Sequence, residues 1–249
     1  MSMFKLGLSA ASASLLYATL PAMAEAPKWT GEGGLSAGVT TGNTETTDFG
    51  MAIDIARQTQ IWKASLEAQA DFGETDGEET KNRAFVAGQI DRQMNDRMYG
   101  FGRLSYEVDQ FSGFDSRLFL GGGLGYEVLN GGRSVWTVEG GPGLKVDERK
   151  SRVEDDVVIP AETIESVSLF AASNYSFQFN ENVVFTNDTD MLYAQESTQL
   201  VMISALTAKL TDALSVRVSF DVRHDTDPPV GYTSTDTATR LSLVYAIGG

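Results

Sequence analysis

The side chain best suited to chemistry on its own is the single histidine, His224. An imidazole can serve as general base for a serine when a third polar group orients it, which is the machinery of an outer-membrane lipid hydrolase. Alternation along Leu214 to His224 places the ring on the face of Phe220 and Val222, so the competing reading is a polar residue at a membrane interface. The run Gly121-Gly122-Gly123-Leu124-Gly125 could cradle a phosphate, but that use needs a helix to follow. Tyr126-Glu127-Val128-Leu129 continues a strand instead. Those glycines are expected to make room for bulky neighbours or to bend a sheet. Around Gly140-Gly141-Pro142-Gly143 a bulge or strand end is expected, because proline donates no ladder hydrogen bond.

The acidic pairs Glu78-Glu79 and Asp155-Asp156 offer carboxylates for a hard cation, yet neither has the spacing of a calcium loop, and solvated loop charge is the simpler use. Cysteine is absent, which removes thiol nucleophiles, disulfides and cysteine-zinc sites. No catalytic residue, metal or cofactor is expected. A formal net charge of -15 argues against nucleic acid as a partner, since phosphate binding depends on clustered Lys and Arg.

Charged residues alternate with apolar ones, and this period identifies the elements that carry them. In Ile61 to Glu74, Trp62, Ala64, Leu66, Ala68, Ala70 and Phe72 alternate with Lys63, Ser65, Glu67, Gln69 and Asp71. A period of two marks a strand with unlike faces. Strands are expected near 29–41, 45–57, 61–73, 80–92, 97–109, 114–129, 133–147, 161–179, 182–191, 197–210, 213–225 and 234–247. About twelve long strands, with no apolar run of the length a spanning helix needs, suit an antiparallel transmembrane β-barrel. Short connections at 57–60, 93–96, 130–132, 180–181 and 211–212 alternate with longer expected loops at 73–79, 147–160, 191–196 and 226–233. Barrels have short periplasmic turns and longer outer loops.

The chain opens with Lys5, an apolar stretch from Leu6 to Leu20, and Pro21-Ala22-Met23-Ala24. These are the parts of a secretory signal peptide, with cleavage expected after Ala24 and a single barrel domain over 25–249. The expected location is the outer membrane of a Gram-negative-type envelope, with membrane lipid and the barrel-assembly machinery as partners. In that setting the apolar faces meet lipid. Glu67, Asp71, Arg83, Arg103, Glu107, Asp109, Arg117, Glu127, Lys145, Arg217, Asp221, Arg223 and Arg240 then line the lumen. Acids and bases paired across it would make a plug; separated by water they would make a narrow, charge-selective path. A soluble periplasmic carrier would have the faces reversed.

Several strings resemble one family. They are Gly42-Asn43-Thr44-Glu45-Thr46, Tyr106-Glu107 with Asp109, Phe111-Ser112-Gly113-Phe114, Gly123-Leu124-Gly125-Tyr126, Glu139-Gly140-Gly141-Pro142-Gly143, Asp225-Thr226-Asp227-Pro228-Pro229 and Ser242-Leu243-Val244-Tyr245. In this order they are similar to the YdiY-like salt-induced outer-membrane proteins, a domain-of-unknown-function family. The resemblance implies a porin-like barrel with a channel or a structural, stress-related envelope role, and brings no reaction with it. Ile247 stands where such barrels usually end on an aromatic residue.

Overall fold

The computed structural model describes residues 28–41, 46–75, 78–154, 157–228 and 233–248. The expected leader over 1–24 lies outside them, as do Asp155-Asp156 and Gly42-Asn43-Thr44-Glu45. The strands are β1 (Lys28–Thr41), β2 (Thr46–Gln58), β3 (Trp62–Thr75), β4 (Glu78–Gln93), β5 (Met98–Asp109), β6 (Phe114–Gly131), β7 (Ser134–Arg149), β8 (Arg152–Glu154), β9 (Val157–Ile159), β10 (Glu162–Asn180), β11 (Val183–Ala194), β12 (Thr198–Lys209), β13 (Leu214–Asp225) and β14 (Thr235–Ile247). Twelve of these close a barrel, each antiparallel to its neighbours, with β1 against β14 and β7 against β10. Closure pairs every strand on both sides, which is the condition for placing a sheet in hydrocarbon.

All twelve expected strands are present. Two details differ from expectation because pairing continues further than the turn residues suggest. The acidic loop after β7 contains the short β8–β9 hairpin. The loops expected at 73–79 and 191–196 shrink, since β3 and β4 pair through Thr75 and Glu78, and β11 runs to Ala194. Glu78 and Glu79 therefore sit in a strand, and Glu79 accepts a hydrogen bond from Asn82 Nδ2 at 2.8 Å.

The two faces separate by chemistry. Outward side chains are apolar, for example Leu35, Leu66, Leu104, Leu120, Leu144 and Leu241, all exposed. Two aromatic rows bound this band. Trp29, Trp62, Tyr126, Trp136 and Tyr245 lie toward the short-turn end, and Phe49, Phe72, Tyr106 and Tyr193 toward the loop end. Such girdles mark the two membrane–water interfaces in transmembrane barrels. Arg57 and Arg92 lie over the Trp29 and Trp62 rings at 5.7 and 5.9 Å. Where polar side chains do face outward they satisfy one another, as Asn187 Nδ2 does by donating to Ser204 Oγ at 2.9 Å.

The glycine-rich stretches have a steric purpose. The Phe119 ring occupies the space that a side chain on Gly121 or Gly143 would need, and the Tyr99 ring covers Gly125. At Gly123 and Gly141 the facing backbones approach so closely that a Cβ on either would overlap main-chain atoms of the other strand. Pro142 does not end β7 or create a bulge. It stays within the strand opposite Leu169 of β10, while the β6–β7 ladder carries no pair between Gly121–Gly143 and Leu124–Gly140, so the missing N–H falls where no ladder bond is made. Gly141→Val should destabilise the barrel by about 1–3 kcal/mol, read as a lower urea-unfolding midpoint, as overpacking against backbone does; an unchanged midpoint would contradict this contact.

Candidate functional site

Inward side chains form two charged groups on the loop half, an aromatic layer at mid-height and a cavity on the turn half. In the first group, Arg83 of β4 is the hub. Its Nη1 donates to Asp71 Oδ2 at 3.0 Å, while Nε and Nη2 donate to Glu107 Oε2 at 2.9 and 2.7 Å. Arg240 of β14 donates to Asp221 Oδ2 at 2.7 Å and to Asp48 Oδ2 at 3.3 Å, and lies 3.7 Å from Asp71 Oδ1. Lys81 also pairs with Asp48. Acids and bases here are both buried and compensate one another. Arg223 is buried beside them, and none of its guanidinium nitrogens is hydrogen bonded to a described residue.

The second group belongs to the opposite wall. Arg117 of β6 lies 3.6 Å from Asp225 and 4.0 Å from Asp147, and stacks 3.6 Å over the Phe114 ring. Lys145 donates to Ser197 Oγ at 3.2 Å and lies 2.8 Å from Asp147. Asp109 is buried at the end of β5, where its Oδ1 accepts the Phe111 N–H at 2.9 Å and shapes the connection to β6. Above it, Lys150 Nζ donates to the Asp109 and Gln110 carbonyls at 3.1 and 2.7 Å, tying the β7–β8 connection over this end.

At mid-height the rings of Tyr99, Phe101, Phe119 and Phe170 meet Ala172 and Leu192 inside the barrel. Phe101 and Phe170 pack edge to face at 5.9 Å, and Phe119 lies 5.6 Å from Phe170. Geometry of this kind adds specific attraction to the area buried. The interior is thus not purely polar, which corrects the simple rule of oily side out and charged side in. These rings fill interior volume that paired charges alone do not.

Below this layer a cavity of about 470 Å³ extends to the turn end. Glu67, Arg103 and Glu127 border it, together with Asp91, Glu139 and Asp190. Tyr99 Oη and Gln89 Nε2 both donate to Glu139 Oε1, at 2.8 and 2.9 Å. Glu127 accepts from Asn130 near the turn. Beside the cavity Arg217 forms a two-pronged pair with Glu32 at 2.6 and 2.9 Å, and its Nε donates to Thr207 at 2.9 Å. That fork fixes both side chains against the wall.

Asp48, Lys81, Asp91, Glu139, Asp147 and Asp190 are not among the expected lumen residues; Lys81 and Asp91 share the parity of Arg83, and Glu139 and Asp147 that of Lys145, whereas no expected residue lies on β2 or β11. Tyr99 and Phe101 also share the face of Arg103 and Glu107, a signal available from spacing alone.

His224 lies on the outward face near the loop end, where its Nδ1 is 2.9 Å from Thr235 Oγ1. No serine or carboxylate is hydrogen bonded to it among the described residues. Gly34-Leu35-Ser36-Ala37-Gly38 has the G-x-S-x-G spacing of a hydrolase nucleophile, a match that reading by strand period passes over. It occupies the middle of β1, paired on both sides, whereas that motif works on a sharp strand-to-helix turn. No set of His, Asp or Glu able to hold a metal ion occurs among the described residues.

Comparison with known proteins places this geometry among relatives. The family model described as "Protein of unknown function, DUF481" matches residues 33–247. The uncharacterized protein YdiY of Escherichia coli K12 is 27% identical over 235 residues, covering 91% of this chain and 86% of that protein. Among solved structures, the NanC porin aligns with a TM-score of 0.55 at 11% identity, over 86% of this chain and 98% of its own. An outer-membrane channel from Pseudomonas putida F1 aligns at 0.54 and 9% identity, over 92% and 100%. The translocator domain of the autotransporter NalP from Neisseria meningitidis aligns at 0.52 and 14%, over 88% of each chain. At such identities the likeness is one of fold.

Proposed function

The chain belongs to the YdiY-like family of unknown function, DUF481, and from that premise we propose that it is exported by a signal peptide over residues 1–24 and serves in the outer membrane as a closed, non-enzymatic barrel. The observation that carries this reading is the packed mid-section: the Phe101–Phe119–Phe170 layer, backed on the loop half by the Arg83 and Arg240 ion-pair network. The apolar exterior between two aromatic rows supports lipid as the surrounding medium and opposes a soluble carrier. His224, bonded to a threonine hydroxyl on the outer wall, has among the described residues none of the partners that hydrolysis of lipid requires. The barrel-assembly machinery is the expected partner during insertion, and the salt-linked envelope role implied by the family resemblance is part of the same proposal.

Planar-bilayer recording tests it. The wild type is expected to show no steady conductance, and the double variant Phe101→Ala/Phe170→Ala is expected to show defined current steps. Sustained wild-type current over a range of salts would overturn the closed-barrel reading in favour of a narrow channel.

A further inference from the structure

The charged groups of the loop half balance, but the cavity on the turn half does not. Seven carboxylates border it, from Asp54 on β2 round to Asp190 on β11, against two cationic side chains, Lys63 and Arg103. Lys63 lies 3.9 Å from Asp91 and is only half-buried. Arg103 gives Nη1 to Gln89 at 3.3 Å, and its Nη2 stays 3.9 Å from Asp190 Oδ2.

An independent observation is that buried polar atoms here are left without hydrogen bonds, Arg103 Nε and Nη2 among them. Asp190 is 8% exposed, borders the cavity, and its Oδ2 accepts no hydrogen bond. Buried carboxylate oxygens without donors are costly and favour a ligand that brings N–H groups. Glu139 adds a further acceptor, since both of its hydrogen bonds end on Oε1.

We propose that this cavity is a binding site for a small organic polycation, an aliphatic di- or triamine. The acids are spread over strands on different sides of the cavity, and no group of them can close around a metal ion among the described residues. A volume of about 470 Å³ suits a flexible organic chain better than a bare ion. Ammonium groups supply several donors each, and the aromatic ring of Tyr99 in the wall attracts cations at its face. The site uses the closed-lumen reading only to explain why the ligand would stop at mid-height.

The test is calorimetric titration of spermidine into the full chain in detergent at low salt, with folding checked by heat-modifiable gel migration. Saturable one-to-one binding is expected. Asp190→Asn and Glu139→Gln should each weaken it by about tenfold or more, the loss of a charged hydrogen bond. Glu148→Gln, whose carboxylate bonds Ser116 away from the cavity, should bind as the wild type does. Absence of saturable binding would overturn the proposal. So would binding indifferent to both cavity variants, or displacement of spermidine by magnesium at equal ionic strength. Current through the wild type would overturn the closed barrel while leaving a positive isotherm standing, so the two failures are distinguishable.

Discussion

Arg83→Met is expected to destabilise the barrel by about 3–5 kcal/mol, measured as a fall in the urea-unfolding midpoint in lipid vesicles, because it strands buried charge. The Arg83 side chain is 0% exposed, and those of Asp71 and Glu107 are 1% and 3% exposed. Both hydrogen bonds that Glu107 accepts come from Arg83, so its carboxylate would be left inside the wall without a donor. Asp71 would retain, among the described residues, the Arg240 contact at 3.7 Å and the Gln69 amide at 3.2 and 3.3 Å. The loss should therefore come from the unpaired acids and not from the missing guanidinium volume. The triple variant Arg83→Met/Asp71→Asn/Glu107→Gln removes those charges and should recover most of the stability. If the single variant unfolds like the wild type, or the triple variant is worse than the single, the hub role assigned to Arg83 is wrong.

Leu104→Arg is expected to cost about 2–4 kcal/mol in the same assay, the penalty for a cation at the bilayer midplane on the lipid face of a barrel. Leu104 sits at the middle of β5, faces outward and is 51% exposed. In a water-soluble barrel the same change on an exposed position would be nearly neutral. Arg57→Ala, outside the apolar band and beside Trp29 at the turn end, should move the midpoint much less. A negligible cost for Leu104→Arg would show that water, and not lipid, meets this face. It would remove the membrane reading together with the location proposed from it.

Much of the barrel is legible in the sequence because a strand has a period of two and one face must differ from the other. The run Trp62 to Phe72 shows this without ambiguity, and so does Leu214 to Arg223. Gly121 to Gly125 could be assigned to a strand, but not to the task of accommodating the Phe119 and Tyr99 rings, since those contacts join residues on neighbouring strands. The β8–β9 hairpin escaped notice because three-residue strands are too short to display a period. Pro142 is tolerated within its strand for a reason spacing does not carry, since its missing N–H falls in a gap of the β6–β7 ladder.

The parity of each strand, and with it which side chains share a wall, was decided by the order of residues along the chain. Which acid meets which base was decided by closure and stagger: Asp48 reaches Arg240 across 192 positions, and Glu32 reaches Arg217 across 185. Local alternation carries no information about such partners, because they are set by how far each strand slides against the next around the whole barrel. The same stagger brings Phe101, Phe119 and Phe170 to one level and leaves the carboxylates around Asp190 in excess below it. The aromatic layer and the acidic cavity are therefore properties of the closed tube, while its oily exterior is already written in each strand.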